Sequence, residues 1–512
     1  MLIALRGKEK MNMFNNAMEQ VSTEKRTLNN AKAYSSSLSK CLDLFFLGGS
    51  IRDWSHPKIR TLFTEAYEED PIIATKIALY IRDVREGMGE RKIGRMFLHA
   101  LASEYNYRED PMILKIIDHI ADIGRWDDLV HIFYCTINEN LKNEISRIII
   151  RKIKEDINSD RPSLLAKWLP SINAGRLSRK KAIEVMKYTG ISNEVYRKIL
   201  TELRKKIDIV ETKITQENFK DIEYAKIPSQ AILRYKRIFF KKDTERFKNH
   251  IELVKKKKTK MNASTLYPYQ LVKPFFENSI NRDKLPDNEV NFYNTMWDIL
   301  PDYTKAGKAI VVADTSGSMF LDPMCISVSL AIYFAERNTG PFKDKFITFS
   351  HSPKFQTLRG RTLYDKLINL DTSGWSNNTD ITKTFRLILE TGIKYSVPQE
   401  DMPEVLYIIS DMEFDAAIDA TSNSYYGMHN ITLEPTNFEA IKEMYEQFGY
   451  EMPMLVFWNV NAKSSTIPVR YNEHGTALVS GKSASTFSLA VEGNSPQEFM
   501  LEAIKDKYKF VE

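Results

Sequence analysis

The spacing of apolar residues changes near residue 305, and no single core can satisfy both halves of the pattern. From about residue 25 to 260, apolar side chains recur at intervals of three and four, as in "HPKIRTLFTEAYEED", "PIIATKIALYIRDVR", "RKIGRMFLHALASEY" and "PMILKIIDHIADI". That spacing puts them on one face of a helix. Asp-Pro at 70–71 and 110–111 and the glycines of "REGMGER" separate these stretches, so tight turns should join antiparallel neighbours in a helical stack. No regular sequence period accompanies them. After residue 305 short β-rich runs, "KAIVVAD", "DKFITFS", "EVLYIISD" and "PMLVFWNVN", alternate with helical stretches such as "CISVSLAIYFAERN" and "FEAIKEMYEQFG". Strands alternating with helices predict a doubly wound α/β domain, with "KFQTL" as a hairpin edge strand. The expected division is a segment 1–25, a helical domain 26–264, a proline-bearing connector 265–304 and an α/β domain 305–512.

Charge follows the same division. Residues 151–260 carry 30 Lys and Arg against 14 Asp and Glu, whereas 301–512 carry 19 against 27. Charge runs are most often solvated helix faces, but an excess this large favours a polyanionic partner. Phosphate contacts need flexible lysines and bidentate arginines, with aromatics nearby for single strands. "RYKRIFFKK" interleaves both, which nominates Arg234, Lys236, Arg237, Lys241 and Lys242 for RNA contact. Arg176, Arg179, Lys180 and Lys181 are nominated with them. Phe239 and Phe240 share helical spacing with Ile232 and Ile238, and core packing is their expected role. Arg82, Arg85, Glu86 and Arg91 are expected to form a buried charge network around a helix turn.

The chemistry concentrates in "VVADTSGSMF". An extended segment leaving a strand puts alternate side chains on one side, so Asp314, Ser316 and Ser318 could face one ion. Ligands of doubly wound sheets bind at the carboxyl ends of strands, where Asp411 ends "LYIISD" and "GWSNNTDI" places Thr379 before a helix. Alone, the first trio could be an ordinary Asx or Ser turn. Together the set offers hard oxygen donors without His or Cys, which suits Mg²⁺ or Mn²⁺. Glu413 and Asp380 are expected to be a solvated neighbour and a helix cap, with Asp415 undecided.

"DTSGSM", "NNTD" and "SDMEFD" resemble the metal-ion-dependent adhesion site of von Willebrand factor A domains. The resemblance implies that Ser316, Ser318 and Thr379 coordinate directly while Asp314 and Asp411 act through water. It departs from the family at "GWSNNTDI", where a glycine pair usually precedes the threonine; Thr379 is chosen because the register of "DITKTF" then fits, and the assignment among 376–379 stays open. "LDLFFLGGSIR", "YIRDVREGMGERK", "LLAKWLPSINA" and "KIPSQAILRYKRIFFKKDTERF" extend the resemblance over roughly residues 30–512. They are similar to an uncharacterised family of plant, viral and phage proteins related to the TROVE domain of the Ro ribonucleoprotein. That resemblance implies a ring of HEAT-like helical repeats followed by an A domain. It also implies a non-enzymatic scaffold that binds small structured or misfolded RNA and docks an acidic protein partner through its metal. The alternatives are an adaptor without RNA, for example to an AAA+ ATPase, and least favoured, a metal-dependent hydrolase.

Other chemistries find no footing. "SGKSAS" lacks the first glycine of a phosphate loop, since Thr476 stands there. A dehalogenase-type phosphatase would need an aspartate where Ser316 stands, and the eight histidines include no HExxH. Three dispersed cysteines without CxxC fit a reducing compartment. "MLIALRGKEK" places a short apolar start before charge, the reverse of a signal peptide, and no apolar run approaches a membrane span. A soluble cytoplasmic chain is expected.

Overall fold

The computed structural model describes residues 18, 20–108, 112–281, 285–304, 307–349, 353–372, 375, 381–414, 437–489 and 495–512. It divides into two compact units, one α/β and one helical.

The α/β unit comprises Met1–Trp54, Tyr303–Arg361 and Asp365–Lys505. Its hairpin joins strands β1 (Glu24–Arg26) and β2 (Lys32–Tyr34). Its sheet contains β3 (Ala309–Asp314), β4 (Lys345–Phe349), β5 (Lys354–Thr357), β6 (Val405–Ser410), β7 (Met454–Asn459) and β8 (Thr476–Ser480). The spatial order is β5-β4-β3-β6-β7-β8, all parallel except β5, which returns against β4 as the expected edge hairpin. β3 pairs with β4 on one side and β6 on the other, Ala313 lying opposite Ile409. The strand order therefore reverses at β3/β6, where such sheets open a crevice. Every residue of β3 is buried, as expected of a strand covered on both faces. Burying each of its valines and isoleucines contributes about 1.5–3 kcal/mol.

β8 is not evident from the sequence; "TALVS" is short and its five residues are buried without alternation. The division at residue 26 also needs correction, because residues 27–54 belong with the sheet. Helix Lys40–Gly48 packs against β8, where Ser480 Oγ donates to Phe45 O at 3.0 Å and accepts from Gly49 N at 3.0 Å. Arg52 Nη1 donates to Val460 O and Trp54 Nε1 to Ala462 O. Helical periodicity marks this segment as a helix without saying which unit it covers.

Asp43 in that helix is fully enclosed, accepting from Ser36 Oγ at 2.5 Å and Ser37 N at 2.7 Å. Burial pushes its carboxyl up to about 6 despite those bonds. A raised acid contributes stability below its ordinary pKa and loses it as pH climbs through the folded value. Each tenfold change in proton affinity is about 1.4 kcal/mol, so from pH 4 to 7.5 Asp43 should cost roughly 2 kcal/mol. Urea denaturation across that range, wild type against Asp43→Asn, checks this: the variant should be flatter by that amount, and equal slopes would refute it.

The helical unit comprises Ser55–Asp302, Thr362–Tyr364 and Asp506–Glu512. Helix His56–Glu69 buries Ile59, Phe63, Ala66 and Tyr67, the expected three-and-four stripe. Asp70 then caps Pro71–Arg82, its Oδ1 accepting from Ile72 N and Ile73 N, so the first Asp-Pro works as a stop and start. The second, at 110–111, lies outside the described residues. The stretch expected to be a connector instead forms helices Pro268–Asn281 and Asp287–Asp298, with Pro274 inside the first. Phe292 of the second joins Phe239, Phe240, Phe247 and Tyr224 in one aromatic core. The four prolines suggest a linker, but buried aromatics outweigh them. The last residues also belong here: Tyr508 Oη donates to Asp83 Oδ2 at 2.9 Å and Lys76 pairs with Glu512 at 2.6 Å.

Among the described residues no helix is long and apolar enough to cross a membrane.

Candidate metal centre

Asp314 closes β3 at the carboxyl edge, and Thr315 extends the pairing by one residue through its N–H to Phe349 O at 3.0 Å. Ser316 is still extended, but Gly317–Met319 is a 3₁₀ turn. Strict alternation therefore ends at Ser316, correcting the expectation that an extended segment aligns all three. The turn carries Ser318 round instead, and the Ser316 and Ser318 hydroxyls meet at 3.1 Å. Asp314 Oδ1 accepts from Ser316 N at 2.9 Å, the anticipated Asx turn, while Oδ2 accepts from Ser410 Oγ at 2.6 Å. Ser410 escapes sequence reasoning; its place as the last residue of the neighbouring strand is the available clue.

Asp411 follows β6 directly and is buried. Its Oδ1 accepts from Glu413 N at 3.2 Å. Its Oδ2 makes no hydrogen bond among the described residues and faces Lys463 Nζ at 3.0 Å, an ion pair outside hydrogen-bond alignment. Met412 between Asp411 and Glu413 holds φ 65°, a left-handed backbone that non-glycine residues adopt at a cost and that recurs at functional sites. Burial, then the negative charge of Asp411, pushes the Asp314 carboxyl up to about 7. Two buried carboxylates that repel each other invite a cation.

Lys463 also escapes sequence reasoning. Its ammonium donates to Ser318 O at 2.8 Å besides facing Asp411, so it bridges the serine turn and the β6 end. It follows the carboxyl end of β7, on the same sheet edge, but "NAKSS" carries no motif. The N-terminal segment frames its loop: besides the Arg52 and Trp54 bonds, Lys25 Nζ reaches Ser464 Oγ at 3.0 Å. Glu413, expected to be solvated, is instead a buried hub accepting from Leu28 N, Ser464 Oγ and Thr466 Oγ1.

Thr379, Asp380 and Asp415 lie outside the described residues. Among the described residues no three His, Cys, Asp or Glu side chains are arranged to hold a metal, so an ion here would depend on the serine hydroxyls. Two hydroxyls and two buried carboxylates, one of them with an oxygen that makes no hydrogen bond among the described residues, form a donor set suited to a hard divalent cation. Ser316, Ser318, Asp314 and Asp411 would hold it.

The nominated RNA residues all fall in the helical unit. Arg176, Arg179 and Lys180 open helix Arg176–Thr189 and are exposed. Arg234 and Lys241 are likewise exposed on helix Ser229–Lys242. Arg237 lies 4.0 Å from Glu289, and Lys242 pairs with Glu217 at 2.9 Å. Lys236 rests over the Tyr293 ring and Lys181 over Tyr134, so these two serve packing as well. Phe239 is buried as expected, whereas Ile238 is exposed. The charge network around residue 82 exists with different members. Arg82 and Arg91 meet Asp128 and Asp127, joined by Arg95. Arg85 instead donates to Asp122 O, and Glu86 pairs with Lys507.

Residues 308–509 match a family described as a domain of unknown function, DUF7788. An uncharacterized protein, L728, of Acanthamoeba polyphaga mimivirus is 26% identical over 524 residues, covering 94% of this chain and 87% of the viral one. Residues 27–163 and 173–307 match a second family, also described as a domain of unknown function. This last match takes in more than half of the sequence, and the chain belongs to that family, DUF2828.

Proposed function

We propose that this chain is a non-enzymatic RNA-binding scaffold of Ro-like build. Its helical unit, read as HEAT-like repeats, holds structured or misfolded RNA. Its α/β unit, read as a von Willebrand A domain, takes Mg²⁺ or Mn²⁺ and docks an acidic side chain of a partner protein. The observation that carries the reading is the convergence of Asp314, Ser316, Ser318 and Asp411 where β3 and β6 end. Bound there, the ion would supply an open coordination position for an incoming carboxylate. The chain's own residues hold the serine turn against β6 through Ser410 and Lys463. Exposed Phe320 and Leu321, directly after the serine turn, offer apolar contact area to a partner and support the docking half. The exposed cations of 176–180 and 234–241 support the RNA half.

Two measurements on the native protein test this. RNA should co-purify and dissociate steeply with salt, and protein partners captured on the chain should be released by EDTA but survive nuclease. Absence of RNA binding at low salt leaves only the adaptor reading. Partner capture insensitive to EDTA removes the metal hook.

A further inference from the structure

We propose that Arg91, Arg95 and Arg125, backed by the buried Arg82, form a phosphate-binding site on the helical unit, taking a backbone phosphate of RNA. The proposal rests on the RNA reading for the source of the phosphate and adds a site that the exposed basic runs do not include. Arg82 ends helix Pro71–Arg82, Arg91 and Arg95 lie one turn apart on helix Arg91–Arg108, and Arg125 precedes helix Trp126–Cys135. Two carboxylates face these four guanidinium groups. Asp128 Oδ2 accepts from Arg82 Nε at 3.1 Å, Arg82 Nη2 at 2.5 Å and Arg125 N at 2.9 Å, and its Oδ1 accepts from Arg95 Nε at 2.6 Å. Asp127 Oδ2 accepts from Arg91 and Arg95.

Two arginines would neutralise two aspartates, and the cluster carries two more. Crowding like charges in a half-buried place is costly unless an anion joins them. Two donors are left over. Arg82, 2% exposed, has an Nη1 without a hydrogen bond. The Arg125 guanidinium makes no hydrogen bond among the described residues; burial, followed by the charge of Arg91, lowers its pKa, while Asp127 and Asp128 attract it from a distance. His131 beside the cluster is held below the ordinary histidine range, by burial first and then by Arg95. Asp127 Oδ1 also lacks a hydrogen bond, so the phosphate would approach from the arginine side. The Arg91 side chain is 46% exposed and that of Arg95 22%, which leaves an entrance. Planar guanidinium forks match phosphate oxygens in pairs.

The test uses the full chain, a labelled RNA hairpin and inorganic phosphate, with Arg125→Gln and Arg91→Gln/Arg125→Gln. Arg125 makes no side-chain hydrogen bond among the described residues and sits beside other arginines, so its variant should melt no lower than wild type. The double variant should bind the hairpin at least about tenfold more weakly, and its log affinity should fall with log salt less steeply by roughly 1–2. If it binds like wild type while Arg179→Glu/Arg234→Glu/Lys241→Glu fails to bind, the RNA reading survives and this site falls. If wild type ignores the hairpin but melts higher in phosphate than in chloride of equal ionic strength, and Arg125→Gln abolishes that rise, the site stands for free phosphate and the RNA reading falls. If neither ligand distinguishes wild type from the variants, the site is wrong.

Discussion

Ser316→Ala is expected to remove divalent-cation binding from the α/β unit, with Mg²⁺ affinity falling more than about 100-fold in calorimetric titration. Outer partners of metal sites typically contribute 10–100-fold, and a donor in contact with the ion should exceed that. The Ser316 hydroxyl is 3.1 Å from that of Ser318, so its loss also leaves Ser318 without its neighbour. The fold should not suffer, because the Ser316 backbone N–H still reaches Asp314 Oδ1. Capture of an acidic partner should disappear with the metal. Lys463→Met moves in the opposite direction: its ammonium lies where Asp411 faces the serine turn, as a tethered cation would, so removing it should tighten Mg²⁺ binding several-fold. Unchanged affinity in Ser316→Ala defeats the metal site; weaker affinity in Lys463→Met defeats only the competition.

Asp128→Ala should destabilise the helical unit by roughly 3–5 kcal/mol, the range for removing one partner of a buried ion pair. Arg82 and Asp128 are both essentially inaccessible, so the variant would strand a guanidinium that already has one unbonded nitrogen. Gly124 belongs to the same construction: a Cβ there would collide with Asp128 Oδ2 and lie 3.0 Å from Arg82 Cζ. The bare backbone lets the pair close beneath it. Asp127→Ala should cost less, because Arg91 is half-exposed and water can replace the lost carboxylate. Urea denaturation followed by helical circular dichroism measures both, and a loss below about 1 kcal/mol for Asp128→Ala would contradict this account.

Within the fold, what can be read from the chain is local. The stripe of Ile59, Phe63, Ala66 and Tyr67 encodes its helix, and "AIVVAD" encodes its strand, because each pattern repeats at the period of the structure it forms. Asp314 and Asp411 are legible as a pair because strand ends face one edge of a parallel sheet. Ser410 and Lys463 are not, since a serine ending a strand and a lysine in a loop are commonplace until register and packing bring them together.

The sequence by itself determined where helical periodicity gives way to alternating strands and helices, and which residues carry oxygen donors at strand ends. Both are properties of neighbours within about ten positions. Tertiary structure alone decided that residues 27–54 serve the sheet, that residues 506–512 return to the helices, and that Lys463 meets Asp411. It also decided that four arginines surround two aspartates. These depend on burial and charge between residues tens to hundreds of positions apart, and spacing along the chain carries no trace of them.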